Sequence, residues 1–312
     1  MTSTSEAVLA ELPLLAGVEL GALAEELVPV ELETGRELWR QGHVADGLYI
    51  VIAGKLRISA RLPGGRESAI AEVGPQSVVG ELALLDGGTR SAGVRATEPT
   101  RLLCLTRRDF RALVAGHDPG ARMVRRRLLE LACRRLTSRH QALAEMLDGD
   151  RIGARAARGE PAPSPDLGYL LRMSFFHHYG PDELQALLGR GWVERVAPGT
   201  VLVAEGERSP GLLVTLNGAV EEVLRRDTDA IRTALLGPGR AFGYAGLLAG
   251  RTATADAIAR ERSVVLVIEA EQLERELAAD AFATAIEEQT VAGLRQVQRP
   301  QARLAATDYA TR

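Results

Sequence analysis

Nowhere does this 312-residue sequence stay apolar for the roughly 20 residues that a bilayer-crossing helix needs, and Met1-Thr2-Ser3-Thr4-Ser5-Glu6 lacks the basic start of a signal peptide. The expectation is a cytoplasmic protein without a membrane partner. Cysteine is reduced to two residues. Cys104 lies in an apolar, strand-like run and Cys133 in a helical pattern, so both read as buried fillers rather than as a disulfide or a metal pair. Of five histidines, only His43 falls in the first strand-rich region, and His177-His178 precede the second. The histidine cluster of a metal-binding barrel is missing, so no metal is expected. No nucleophile elbow, Walker loop or kinase signature occurs, and the chain reads as non-enzymatic. A net charge of −3 gives no global reason to expect nucleic-acid binding.

What is present is a soluble globular composition, 46% hydrophobic and 25% charged, with a length that suits two domains of about 150 residues. Residues 7–28 carry leucines at mostly helical spacing, broken by Pro13 and Gly17. From Val28 the period shortens. Runs such as Leu48-Tyr49-Ile50-Val51-Ile52 and Leu56-Arg57-Ile58-Ser59 alternate with glycine or charged joints, the pattern of a β sandwich or jelly roll. A helical period returns after Asp109. Residues 118–147 read as one long helix with an apolar stripe of Leu129, Ala132, Leu136, Leu143 and Met146, which either packs on its own barrel or pairs with a second copy in a homodimer. Residues 148–167 are small, charged and proline-rich, and read as a linker.

The first domain then starts again. Gly199, Gly206, Gly211 and Gly218 lie 164 positions after Gly35, Gly42, Gly47 and Gly54, while Gly237 and Gly243 lie 163 after Gly74 and Gly80. Six glycines at a near-constant offset imply a duplicated fold. The expected architecture is mainly β with flanking α, two tandem β jelly rolls each with N- and C-terminal helices. Its limits are 7–147 for domain 1, 148–167 for the linker, 168–300 for domain 2 and 301–312 for a tail.

Chemistry concentrates in Val79-Gly80-Glu81-Leu82-Ala83-Leu84-Leu85 and in Thr89-Arg90-Ser91-Ala92. Gly80 lets the backbone approach a ligand, and the helical turn after it offers free amides to an anion. Glu81 is a carboxylate able to accept from sugar hydroxyls, while Arg90 and Ser91 are donors for a compact negative charge.

This stretch resembles the phosphate-binding cassette of cyclic nucleotide-binding domains, as in kinase regulatory subunits and the bacterial catabolite activator family. The resemblance implies that Glu81 takes the ribose 2′-hydroxyl and that Arg90 pairs with the cyclic phosphate. Ser91 and the amides near Leu82 and Ala83 would complete the cradle. Ser91 directly after the arginine favours cyclic AMP and leaves cyclic GMP open. Thr137-Ser138 on the long helix resembles the pair with which the bacterial activator meets the adenine base. In the second copy Tyr244 stands at the glutamate position, and Arg251 follows Gly243 by eight residues where Arg90 follows Gly80 by ten. Tyr244 is expected to fill the sugar space and make the second domain a structural and regulatory partner; the alternative is a different or weaker ligand, for which Arg251-Thr252 still offers a phosphate pair.

The function expected is a cyclic-nucleotide receptor that switches helix packing for a downstream protein partner. The alternatives are a transcription regulator of the Crp-Fnr type and a ligand-independent scaffold. Against the first, no two-helix DNA reader is visible, and Arg125-Arg126-Arg127 is a basic patch of the kind that usually faces solvent. Against a kinase regulatory subunit, no arginine precedes Arg36 to build a pseudosubstrate.

Overall fold

The computed structural model describes residue 12 and residues 27–61, 67–81, 84, 89–115 and 119–308. The expected N-terminal helices, the end of the tail, Leu82 and Ala83 lie outside them. Eight strands build the first unit: β1 (Val28–Leu32), β2 (Glu37–Trp39), β3 (Gly47–Ala53), β4 (Leu56–Arg61), β5 (Glu67–Val73), β6 (Val78–Val79), β7 (Gly93–Ala96) and β8 (Thr100–Thr106). They form two antiparallel sheets, ordered β1-β8-β3-β6 and β2-β7-β4-β5. Trp39, Tyr49, Val51, Leu56, Val79, Val94, Leu102 and Cys104 come from both sheets and meet in one core, which is the jelly roll that the strand spacing predicts. The opposite face of β3 is also buried, because helix α1 (Arg107–Ala115) packs on β3 and β8. Thr106 and Asp109 cap the start of α1: the threonine hydroxyl donates to the carboxylate and accepts from the Asp109 amide at 3.3 Å.

The second jelly roll comprises β9 (Glu160–Pro161), β10 (Trp192–Val196), β11 (Val201–Val203), β12 (Gly211–Asn217), β13 (Val220–Arg225), β14 (Ala230–Leu236), β15 (Ala241–Phe242), β16 (Asp256–Ala259) and β17 (Ser263–Glu269). Its sheets run β15-β12-β17-β10-β9 and β11-β16-β13-β14. Apart from β9 this is the first topology repeated, and the repeat extends to the irregularities. Register shifts at Val51/Ala53, Ile58/Ser59 and Glu37/Trp39 recur at Thr215/Asn217, Glu222/Val223 and Val201/Val203. Bulges re-aim side chains and survive as designed features, so their duplication says that the two interiors were shaped alike.

Helix α2 (Pro119–Glu145) is followed by α3 (Leu167–Leu170), α4 (Pro181–Arg190), α5 (Tyr244–Leu248), α6 (Ala270–Glu276) and α7 (Asp280–Asp308). Pro181 at the first turn of α4 gives up no helical hydrogen bond there. Helix α7 continues through Pro300, eight residues into what the sequence marks as a tail. A proline costs one internal bond, and Gln301-Ala302-Arg303-Leu304-Ala305-Ala306 beyond it is strong helix-forming material.

Two further boundaries differ from the sequence reading. The compact units divide between Leu129 and Glu130, inside α2, rather than at 147. The reason is visible in the second half of that helix. Cys133 Sγ lies 3.9 Å from Thr290 Oγ1, and Arg139 donates to the Leu294 carbonyl at 3.0 Å. A Cβ on Gly293 would come 3.2 Å from Leu136. Helix α7 therefore packs against the second half of α2 at Cys133, Leu136 and Arg139 within the second unit; further along the stripe Leu143 is buried, while Met146 is 39% exposed. The 148–167 segment is likewise laid down on the second unit. Glu160–Pro161 pairs with β10, and the Ala157 amide donates to the Val201 carbonyl at 2.8 Å. Its prolines suit an edge strand, where a missing donor costs little.

Candidate functional site

Arg90 is the centre of the first cassette. It is only 2% exposed, a rare state for an arginine. Its guanidinium donates from Nη1 to the Gly80 carbonyl at 2.9 Å and from Nη2 to the Gly47 carbonyl at 2.7 Å. Its carbon sits 3.8 Å from the ring centroid of Trp39, whose Nε1 donates to the Ala92 carbonyl at 2.9 Å. A close ion pair with Asp46 completes the seat. The Asp46 side chain is 69% exposed, so that pair is screened and contributes under about 1 kcal/mol, whereas bonds from a buried charged group to carbonyls contribute about 1.5–3 kcal/mol each. The carbonyls and Trp39 hold the arginine; Asp46 trims its charge.

Burial works against ionisation of Asp46, but the Tyr49 hydroxyl, which donates at 2.9 Å, and Arg90 outweigh it and hold the carboxyl below the usual carboxylate range. Burial, helped by Cys104 and Asp46, pushes the Tyr49 phenol far above its ordinary value, so it stays a donor.

One donor of Arg90 is left over. Its Nε is buried and has no hydrogen-bond partner. An unpaired buried N–H on a fixed cation calls for an acceptor, and an anion oxygen is the strongest one for it. Gly80 matches: its φ is +87°, and a Cβ there would stand 2.3 Å from Arg90 Nη1 and 3.1 Å from Trp39. Only glycine allows the strand-to-turn backbone to pass this close to the guanidinium. Glu81 follows, fully buried, and the Leu84 amide donates to its carbonyl at 3.1 Å in a tight turn. Val79 and Ala92 are buried at the two ends of the cassette, and Ser91 is half-buried beside Arg90. Glu81 thus follows the glycine whose carbonyl accepts from Arg90, and Ser91 follows Arg90.

Thr137 and Ser138 fall in the second unit, where Thr137 is buried and donates to the Arg134 carbonyl at 2.9 Å, and Ser138 lies 3.5 Å from Arg251. The sequence reading missed Trp39 and Asp46, which stand 53 and 44 positions from their partners Ala92 and Arg90, and Tyr49, which donates to Asp46. Comparing the two copies gives a signal: Asp46 precedes Gly47, whereas Pro210 precedes Gly211.

The second cassette repeats the backbone of the first at Gly80 and at Arg90, with different chemistry. Gly243 repeats the positive φ, at +81°. Gly42 and His43 exchange backbone bonds with Arg90 at 2.8 Å each, and Gly206 and Glu207 exchange theirs with Ala253 at 2.8 and 2.9 Å. Ala253, not Arg251, therefore holds the arginine position. Arg251 is exposed and donates to Gln141 at 2.9 Å. Tyr244 is 3% exposed, with its hydroxyl 3.1 Å from Thr290 on α7, and burial drives its phenol well above the ordinary value.

The model of the cyclic nucleotide-binding domain matches residues 29–117 and again 193–280, more than half of the chain. The chain belongs to that family. Both matched segments of this cyclic nucleotide-binding protein coincide with the jelly rolls described above. It is 28% identical over 222 residues, 64% of this chain and 96% of the relative, to the CRP-like cAMP-activated global transcriptional regulator of Mycobacterium tuberculosis. It is 39% identical over 97 residues to the cyclic AMP receptor protein of Thermus thermophilus, covering 30% of this chain and 45% of that one. The regulatory domain of Toxoplasma gondii PKA, solved with cAMP, aligns over 87% of this chain and 90% of its own at 21% identity, with a TM-score of 0.34. Among the described residues no helix is long and apolar enough to cross a membrane.

Proposed function

We propose that this protein is a non-enzymatic cyclic AMP receptor in which the first jelly roll senses the nucleotide and the second has lost that ability. The observation that carries the reading is Arg90 with its buried, unpaired Nε, set against Ala253 at the same backbone position. In this reading Arg90, Ser91 and the cassette amides take the cyclic phosphate, and Glu81 accepts from the ribose hydroxyl. Ser91 after the arginine and the names of the M. tuberculosis and T. thermophilus relatives support cyclic AMP over cyclic GMP.

The output runs through α2. Its first turns belong to the unit that holds the cassette, while Cys133, Thr137, His140 and Leu143 are buried in the unit that holds Tyr244. A ligand that favours one placement of this helix shifts the balance by its differential affinity, ordinarily about 1–3 kcal/mol. A downstream protein partner reads that shift. Thermal melts of the wild type and Arg90→Ala with each nucleotide test the reading. Stabilisation by cyclic AMP in the wild type alone supports it; equal stabilisation of both contradicts it.

A second reading, a Crp-Fnr-type transcription regulator, draws support from the near-complete coverage of the M. tuberculosis relative. Against it stands the second jelly roll, which fills the described chain from 160 to 269. A mobility shift on genomic DNA with and without nucleotide separates the two.

A further inference from the structure

We propose that His177, His178 and Glu288 form a divalent transition-metal site, suited to Zn²⁺, that fastens the turn ahead of α4 to helix α7. The three ligand atoms lie within 4.8 Å of one another. Glu288 Oε1 is 3.0 Å from His178 Nε2, and Oε2 is 3.8 Å from His177 Nε2. Two ligands about 2.0–2.1 Å from a tetrahedral zinc stand about 3.3 Å apart, so each imidazole lies within about 0.5 Å of that spacing from one carboxylate oxygen, and small side-chain rotations bring the set, now within 4.8 Å, around one ion.

The ring orientations are set by neighbours. His177 Nδ1 makes a close contact with the Ser174 carbonyl, and since a carbonyl only accepts, Nδ1 carries the proton. Nε2 then presents its lone pair toward Glu288, the arrangement in which metal-binding imidazoles are held by a carbonyl behind them. The two imidazoles lie side by side, with centroids 3.8 Å apart and planes tilted by 42°.

The platform under the histidines is rigid. Phe175 and Phe176, just before them, are fully buried, and Phe175 packs edge-on against Phe282 of α7 at 6.0 Å. Ser174 is tied to the Gly239 carbonyl by a 2.9 Å bond. A preformed pair of imidazoles thus faces a carboxylate on a helix held by the same aromatic cluster. Side-chain exposures of 45%, 30% and 38% leave room for an ion to enter and for water or another donor at the fourth position. Two imidazoles and one carboxylate favour Zn²⁺, Ni²⁺ or Cu²⁺ over Mg²⁺ or Ca²⁺. Glu288 is 110 residues beyond His178, which is why spacing along the sequence does not reveal the site.

The site bears on the second cassette, because Thr290, two residues along α7, is the group against the Tyr244 hydroxyl. An ion here would clamp the helix that closes over that tyrosine.

The test is a titration of the full chain, purified without a histidine tag, with Co²⁺ at neutral pH, followed by its visible ligand-field bands and then by Zn²⁺ competition. The expected result is one equivalent per chain with intense tetrahedral-type absorption that Zn²⁺ abolishes. His178→Ala and Glu288→Gln should each weaken binding by about tenfold or more, and His43→Ala should not change it. All three ligands are part-exposed, so circular dichroism should confirm that the variants fold; His177→Ala serves as the replacement should one fail. Absence of saturable binding, or affinity unchanged by the substitutions, overturns the proposal.

Discussion

Ala253 occupies in the second jelly roll the backbone position that Arg90 holds in the first, with matching hydrogen bonds on both sides of the residue. Together with Tyr244 for Glu81, this places acid and base in one copy and an aromatic ring and a methyl group in the other. Arg90→Ala should therefore weaken cyclic AMP binding by about tenfold or more, since a charged hydrogen bond is worth about 1.5–3 kcal/mol. Arg251→Ala should leave it within about twofold. Arg90→Lys should behave nearly as badly as alanine, because an ammonium cannot reproduce the fork that spans the Gly80 and Gly47 carbonyls. Fluorescence competition binding on the three variants checks this.

Gly80→Ala and Gly243→Ala form a second pair. Both residues have φ near +80°, and both lack room for a Cβ: Arg90 lies at 2.3 Å in the first case and the Gly211 carbonyl at 2.7 Å in the second. Each substitution should cost about 1–3 kcal/mol of stability, measured by urea unfolding. Only Gly80→Ala should also reduce nucleotide affinity, because the atom it strikes belongs to Arg90.

Tyr244→Phe removes one buried hydroxyl contact with Thr290 and should destabilise by about 1 kcal/mol without changing nucleotide affinity or stoichiometry. A change in stoichiometry would mean that the second barrel binds nucleotide after all.

His140 supplies a pH dependence. It is buried, with Nδ1 3.1 Å from Thr254 Oγ1 and Nε2 without a hydrogen bond, and burial lowers its pKa to about 4. Its unfolded value is about 6.5, so the unfolded chain binds the proton first. The histidine leaves stability intact above pH about 6.5 and erodes it as pH falls toward about 4, by an amount of the order of 3 kcal/mol. Urea midpoints at pH 7.5, 6 and 5 should fall less steeply in His140→Gln than in the wild type. Parallel curves would contradict the assignment.

The fold was legible because short apolar strands such as Gly47–Ala53 and Ser263–Glu269 alternate with glycines at fixed joints, and because a duplicated chain repeats its glycines at a near-constant offset. The cassette was legible because Gly80, Glu81 and Arg90 are close in sequence. What holds Arg90 was not, since Trp39 and Asp46 reach it only once β2, β3 and β7 are folded together. The place of Ala253 was legible too: the offset of 163 that carries Gly80 onto Gly243 carries Arg90 onto Ala253, and the backbone bonds of Gly206 and Glu207 agree, whereas the nearest arginine, Arg251, is two positions short. The long helix was read as one element, correctly in length to within two residues, but an apolar stripe does not name its partner. Along its second half α2 meets α7, whose Thr290, Gly293 and Leu294 lie more than 150 positions away.

Isothermal titration calorimetry of the full chain with cyclic AMP tests the central claim most directly. The account predicts one molecule bound per chain, weaker or no heat from cyclic GMP, and loss of the signal in Arg90→Ala while Arg251→Ala keeps it. Two equivalents per chain, or an Arg90→Ala protein that binds as the wild type does, would contradict it.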